Sequence, residues 1–191
     1  MIDSLLKRNP KIHPQLDFPD YKSSILRAPK NKKISFSSTT TEISGPVFNK
    51  NKIGKLDNDL TLNFSKNNIL PVGHKIIVFG TISDQFSKPI GGALIEIWQA
   101  NAAGKYLHHN DKNEAPIDPN FAGCGRYITC SKGYYEFITI QPGPYPYPNR
   151  GIEWRPMHIH FSVFGKSFGQ RLITQMYFEG DPLINSCPMV N

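Results

Sequence analysis

Proline and glycine decide what this chain cannot become. Sixteen prolines and fifteen glycines are spread over its 191 residues, and a proline inside a helix removes a hydrogen bond and clashes with the preceding turn. In residues 1–72, Pro10, Pro14, Pro19, Pro29, Pro46 and Pro71 stand among Asn, Lys and Ser, with little helical periodicity. That texture predicts an extended N-terminal arm lying along a neighbouring surface, with one short strand near Ile34–Phe36. From Gly73 onward, apolar and β-branched segments take over: Lys75–Ile82, Ala93–Trp98, Gly133–Ile140, His158–Phe164 and Leu172–Phe178. In the second of these, Leu94, Glu96 and Trp98 share one face while Ile95 and Ile97 share the other. Asp84–Pro89 reads as a turn. Short strands separated by Gly- and Pro-bearing turns predict an all-β chain, an antiparallel β-sandwich with long loops over residues 73–191.

Composition narrows the function classes. The formal charge is +7, from 22 basic against 15 acidic residues. The early lysines lie among Asn, Ser and Thr without interleaved aromatics, which describes a solvated loop better than a nucleic-acid surface. The apolar runs are strand-length and too short to span a membrane, and no basic region precedes an apolar stretch at the start, so no signal peptide is expected. Cys124, Cys130 and Cys187 are odd in number and lack zinc-like spacing, as expected of reduced thiols in a cytoplasmic protein.

The stretch from Gln99 to Ser131 has little regular pattern, and a loop of that length inside a compact domain is usually functional. It carries Tyr106, His108, His109, Asp111 and Asp118. Further on, His158 and His160 are two apart on an expected strand, so both imidazoles leave one face. Upstream, Gly143–Pro148 places Tyr145 between two prolines that restrict its backbone. Separately, the histidines read better as structural or exposed groups and the tyrosines as turn packing. Together they offer two nitrogens and one or more phenolates to a hard, highly charged cation. A free Tyr titrates near pH 10, so phenolate ligation requires an ion that strips the proton, as ferric iron does. Zinc prefers Cys, His and carboxylate, and ferrous oxygenases use two His and a carboxylate.

Ala93–Asn101, Gly104–Tyr106, Asp118–Phe121, Gly133–Tyr135, Gln141–Tyr145, Arg155–His160 and Leu172–Pro182 together resemble the intradiol ring-cleaving dioxygenases. The last of these segments, with Asp20–Ser24 and Asp57–Leu60, is most similar to the catalytic β-type chains that act on 3,4-dihydroxybenzoate (protocatechuate). The resemblance implies a β-sandwich with Fe(III) at its edge. Tyr106, Tyr145, His158 and His160 would be the ligands, Tyr145 and His160 axial, with hydroxide in a fifth position. It implies cleavage between the two hydroxylated carbons with O2, giving 3-carboxy-cis,cis-muconate in aromatic catabolism. Tyr145 would be displaced by the diphenol and take a proton from it. Arg155 would stabilise the ketonised substrate, with Gln175 as its polar companion. Tyr21 would approach the substrate carboxylate, and Tyr147 and Met189 would form pocket walls where the family more often has Trp and Ile. The expected partner is a homologous α-subunit in a hetero-oligomer. Family β-chains also continue past the position of Asn191 with a late strand, so a sandwich with an unpaired edge is expected here. An intradiol enzyme for catechol or hydroxyquinol, or a non-catalytic sandwich module, stand as alternatives.

Overall fold

The computed structural model describes residues 17–31, 53–148, 152–165 and 171–190. Among them are eight strands: β1 Lys75–Thr81, β2 Leu94–Trp98, β3 Cys124–Ile128, β4 Tyr134–Ile140, β5 Tyr145–Pro148, β6 Ile152–Arg155, β7 His158–Phe164 and β8 Arg171–Tyr177. The five strands expected from β-branched runs are present as β1, β2, β4, β7 and β8. Ile34–Phe36 lies outside the described residues.

All pairings between these strands are antiparallel. One sheet has the order β3–β2–β7–β8, a second pairs β1 with β4, and a third is the β5–β6 hairpin. The first two face each other across one apolar layer, making a β-sandwich. Ile95 and Ile97 of β2 and Ile159, Phe161 and Val163 of β7 supply one side, and Val78 of β1 with Phe137 and Ile140 of β4 supply the other. Ile95, Phe137 and Ile159 are wholly buried, each contributing about 1.5–3 kcal/mol relative to exposure. The ring of Tyr135 meets Phe161 edge-on at 5.9 Å, joining the layers. Where β2 ends, buried Gln99 bonds across to β4. Its Nε2 donates to the Ile140 carbonyl at 2.7 Å, and its Oε1 accepts from Thr139 Oγ1 at 2.8 Å. This satisfies a buried amide that would otherwise cost about 1–3 kcal/mol. It also fixes where the long loop departs.

Three features depart from expectation. The loop after Gln99 contains β3, whose Gly125 and Arg126 hide a strand that pairs with Ile97 and Glu96. The N-terminal region is not extended throughout, because Lys22–Arg27 forms a one-and-a-half-turn helix, α1. Nor does the region up to residue 72 stand apart from the sandwich: Leu60 and Thr61 are buried, Leu60 within the main core. Asp84–Pro89 is the expected turn, with Asp84 Oδ1 accepting from the backbone N–H groups of Phe86 and Lys88 at 2.9 Å.

Candidate metal centre

Strand β7 divides its side chains by pleat. Ile159, Phe161 and Val163 face the core, and His158 and His160 face the opposite side. Register fills that second face with partners. His160 lies between Trp98 of β2 and Gln175 of β8, and His158 is opposite Tyr177. The Trp98 indole stacks on the His160 ring, centroids 4.8 Å apart and 3° from parallel. His158 Nδ1 is 2.7 Å from the Pro156 carbonyl. A carbonyl only accepts, so this nitrogen carries the proton and Nε2 presents its lone pair.

Tyr106 arrives from the long loop. Its hydroxyl oxygen lies 3.3 Å from His158 Nε2 and 3.2 Å from His160 Nε2. Tyr145 arrives from the first residue of β5, meeting the Tyr106 ring edge-on at 5.1 Å. Two glycines make this approach possible. Gly104 has φ +77°, and a Cβ on it would run into the Pro144 carbonyl oxygen. A Cβ on Gly143 would lie 2.5 Å from the Ala102 carbonyl oxygen. The two tyrosine-bearing segments thus interlock backbone to backbone just before their phenols.

Arg155, at the end of β6, is directly opposite Tyr145 in the hairpin register. The residue is only 6% exposed. Nη1 is 3.3 Å from His158 Nε2, and Nη2 donates to both Gln175 Oε1 and the Tyr177 hydroxyl, the latter at 2.8 Å. The Tyr177 hydroxyl donates in turn to Gln175 Oε1 at 2.6 Å, closing a triangle around the cation. Tyr177 was not anticipated. The available signal was its period-two spacing from Gln175, which puts both on one face of β8.

Tyr21, at the start of α1, meets Tyr147 edge-on at 6.3 Å, and its hydroxyl accepts from Arg27 Nη2 at 3.3 Å. Tyr147 is buried and donates to Glu153 Oε2 at 2.9 Å. Met189 is half-buried in the turn after Cys187. Burial raises the Tyr147 and Tyr177 phenols, and the hydrogen bond to Glu153 raises Tyr147 further. His108 and His109 stack on each other on the exposed loop. A cavity of about 520 Å³, lined by Asp57, Glu96, Trp98 and Arg126 among others, contains none of the four donors.

Burial sets the protonation states. It lowers His158 to about 4 and His160 to about 3, and the Arg155 charge beside them adds to the effect. Both imidazoles are therefore neutral near pH 7 and able to ligate. Burial also pushes the Tyr106 phenol far above its ordinary value, against the pull of Arg155, and raises Tyr145. Neither phenol ionises here unless a cation replaces its proton. Tyr106 Oη and the two Nε2 atoms are spaced as ligand atoms bonded at about 2 Å to one ion would be, roughly 3 Å apart. Among the described residues, no three His, Cys, Asp or Glu side chains gather to hold a metal, so an ion at this site must draw on the phenols. Two neutral nitrogens with two phenolates suit a hard trivalent cation.

A family profile described as Dioxygenase matches residues 43–191. The chain belongs to the intradiol ring-cleaving dioxygenase family. A second profile, the protocatechuate 3,4-dioxygenase beta subunit N terminal, matches residues 6–39. The chain is 48% identical to a protocatechuate 3,4-dioxygenase beta chain from Burkholderia cepacia, over 93% of this chain and 75% of that one. It is 37% identical to a catechol 1,2-dioxygenase from Acinetobacter lwoffii, covering 57% of this chain and 37% of the relative. The crystal structure of a 3-chlorocatechol 1,2-dioxygenase from Rhodococcus opacus superposes with a TM-score of 0.56 at 26% identity, over 78% of this chain and 60% of that one.

Proposed function

We propose that this chain is the iron-bearing β-chain of a protocatechuate 3,4-dioxygenase. It would cleave 3,4-dihydroxybenzoate with O2 between its hydroxylated carbons to give 3-carboxy-cis,cis-muconate, in a hetero-oligomer with an α-type chain. The observation that carries the reading is the convergence of Tyr106 Oη on His158 Nε2 and His160 Nε2 at 3.2–3.3 Å, with Tyr145 alongside. Tyr106, Tyr145, His158 and His160 would hold Fe(III). When bound, ferric iron supplies a Lewis acid that withdraws electron density from a chelated diphenolate and opens a ring carbon to dioxygen.

The chain's own groups do the rest. Among the described residues, none hydrogen-bonds the Tyr145 hydroxyl, so this side chain can turn away, and as the phenolate it would take up a substrate proton at its oxygen. Arg155 stands beside the donors with its cation fixed by Gln175 and Tyr177, and its buried Nε–H has no partner among the described residues. A preset donor of this kind stabilises negative charge that develops on the substrate, and does so strongly because water is excluded. Tyr21 and Tyr147 form an aromatic wall. In this reading Tyr21 faces the substrate carboxylate and Met189 completes the apolar side. A cytoplasmic setting agrees with the three free cysteines. No helix among the described residues is long and apolar enough to cross a membrane.

The test is the visible spectrum and activity of the aerobic, iron-loaded protein. A broad tyrosinate-to-iron band, and turnover of 3,4-dihydroxybenzoate in preference to catechol and hydroxyquinol, are expected. A colourless protein carrying one iron per chain would remove the tyrosinate assignment. Preference for catechol would remove the substrate.

A further inference from the structure

The two phenols are chemically alike, yet the chain supports them unequally. The backbone N–H of Tyr106 donates to Asp111 Oδ2 at 2.8 Å. The other oxygen of that carboxylate, Oδ1, accepts from the Asn113 backbone at 2.8 Å and faces the Lys105 ammonium at 3.4 Å. The same ammonium donates to the carbonyls of Asp111, at 3.1 Å, and of Asn113. Asn113 Nδ2 closes the loop by donating to the Gly104 carbonyl at 2.8 Å. The Lys105 and Asp111 side chains are only 9% and 3% exposed, so each charge is sealed from water and depends on the other. The loop therefore wraps a buried ion pair whose free oxygen grips the residue presenting the phenol. Tyr145 is placed differently, by the β5–β6 ladder opposite Arg155; it is half-buried, and no described residue bonds its hydroxyl.

We propose that Asp111, held by Lys105, is a positioning residue that fixes the Tyr106 phenol against His158 and His160. The proposal rests on the reading that both phenols face a bound ferric ion. Outer groups that orient a ligand commonly change metal affinity about 10- to 100-fold when removed.

The experiment compares iron-loaded wild type, Asp111→Ala, Asp111→Asn and Tyr106→Phe, each as the full chain with its α-type partner. Visible spectra are taken at rest and after anaerobic addition of 3,4-dihydroxybenzoate, with iron release to a ferric chelator and far-UV circular dichroism. Wild type in the substrate complex should keep a tyrosinate band that Tyr106→Phe lacks. Asp111→Ala, native by circular dichroism, should lose most of that band in the complex and release iron about 10- to 100-fold faster. Asp111→Asn keeps one acceptor oxygen but not the ion pair, and should release iron at least about threefold faster. If Asp111→Ala does not fold, Asp111→Asn decides alone. A folded Asp111→Ala, or in its absence a folded Asp111→Asn, with wild-type band and wild-type iron release overturns the proposal. A wild type without any tyrosinate band overturns the underlying iron reading instead, so the two failures are distinguishable.

Discussion

His158 and His160 illustrate how burial fixes chemistry at single residues. Lowered to about 4 and about 3 in the fold and ordinary, near 6.5, in the unfolded chain, they bind fewer protons when folded across that interval. Stability then rises with pH wherever the unfolded chain holds more protons. Their contribution is present above about pH 6.5 and is lost as pH falls toward 4 and 3. The metal-free protein should accordingly show a falling melting temperature between about pH 7 and about pH 4.5. A flat profile in differential scanning calorimetry over that window would contradict neutral, buried imidazoles. The neighbouring cation makes a second expectation. Arg155→Ala should retain iron, since Arg155 is not a donor, but lose roughly 10²–10³ in kcat because a preset charge is gone. Tyr177→Phe removes one of the bonds that orient the guanidinium and should cost about tenfold in kcat with iron unchanged. Steady-state kinetics with iron quantification separates these outcomes, and a Tyr177→Phe enzyme with normal kcat would detach Tyr177 from the mechanism. Arg155, Gln175 and the histidines could be picked out from spacing and resemblance. Tyr177 offers only its period-two spacing from Gln175, because its role appears when register sets β8 against β7 and brings the end of β6 to both.

At the scale of elements, the site depends on two crossing segments as much as on the strand that bears the histidines. Gly104, at φ +77°, and Gly143 let the Tyr106 loop and the Tyr145 hairpin approach at backbone distance. Gly104→Ala adds left-handed strain of about 1 kcal/mol or more, and its methyl meets the Pro144 carbonyl, so the two phenols must separate. The expected result is a folded protein with reduced iron per chain and a weakened visible band; normal iron content and colour would show that the interlock does not set the ligand spacing. β1, β2, β4, β7 and β8 were readable because β-branched runs on a two-residue period report burial directly. The others were not. β3 contains Gly125 and Arg126, and its strand character comes from pairing with β2. β5 alternates Tyr with Pro, which sequence treats as turn material, yet a hairpin ribbon tolerates Pro where no ladder bond is needed. α1 was missed for the opposite reason: six residues are too few to show a helical period.

On the scale of the whole molecule, the sandwich is closed on its inner layer and open on its outer ones. Ile77 and Phe79 of β1 are 58% and 66% exposed, and Leu172 and Ile173 of β8 are 60% and 58% exposed. Leu26 of α1 is 83% exposed. β8 is also the last strand of its sheet, so among the described strands only β7 pairs with it. An apolar strand with one unpaired edge is a template for association, and apolar groups left on an outer face favour a protein partner. Tyr21 adds a functional reason for such a partner, because the segment that carries it must be ordered for Tyr21 to reach Tyr147. Ordering backbone costs on the order of 1–2 kcal/mol per residue, and six helical residues with Ile25 and Leu26 largely exposed recover little of that alone. The chain by itself should therefore elute as polydisperse assemblies in size-exclusion chromatography and turn over 3,4-dihydroxybenzoate weakly. Co-expression with an α-type chain should give one discrete species, with iron per β-chain unchanged and activity restored. Phe79→Lys together with Leu172→Lys should reduce self-association without touching any of the four donors. If the unmodified chain alone proves monodisperse and as active as the mixture, the exposed strand faces are not interfaces and Tyr21 needs no partner to take its place.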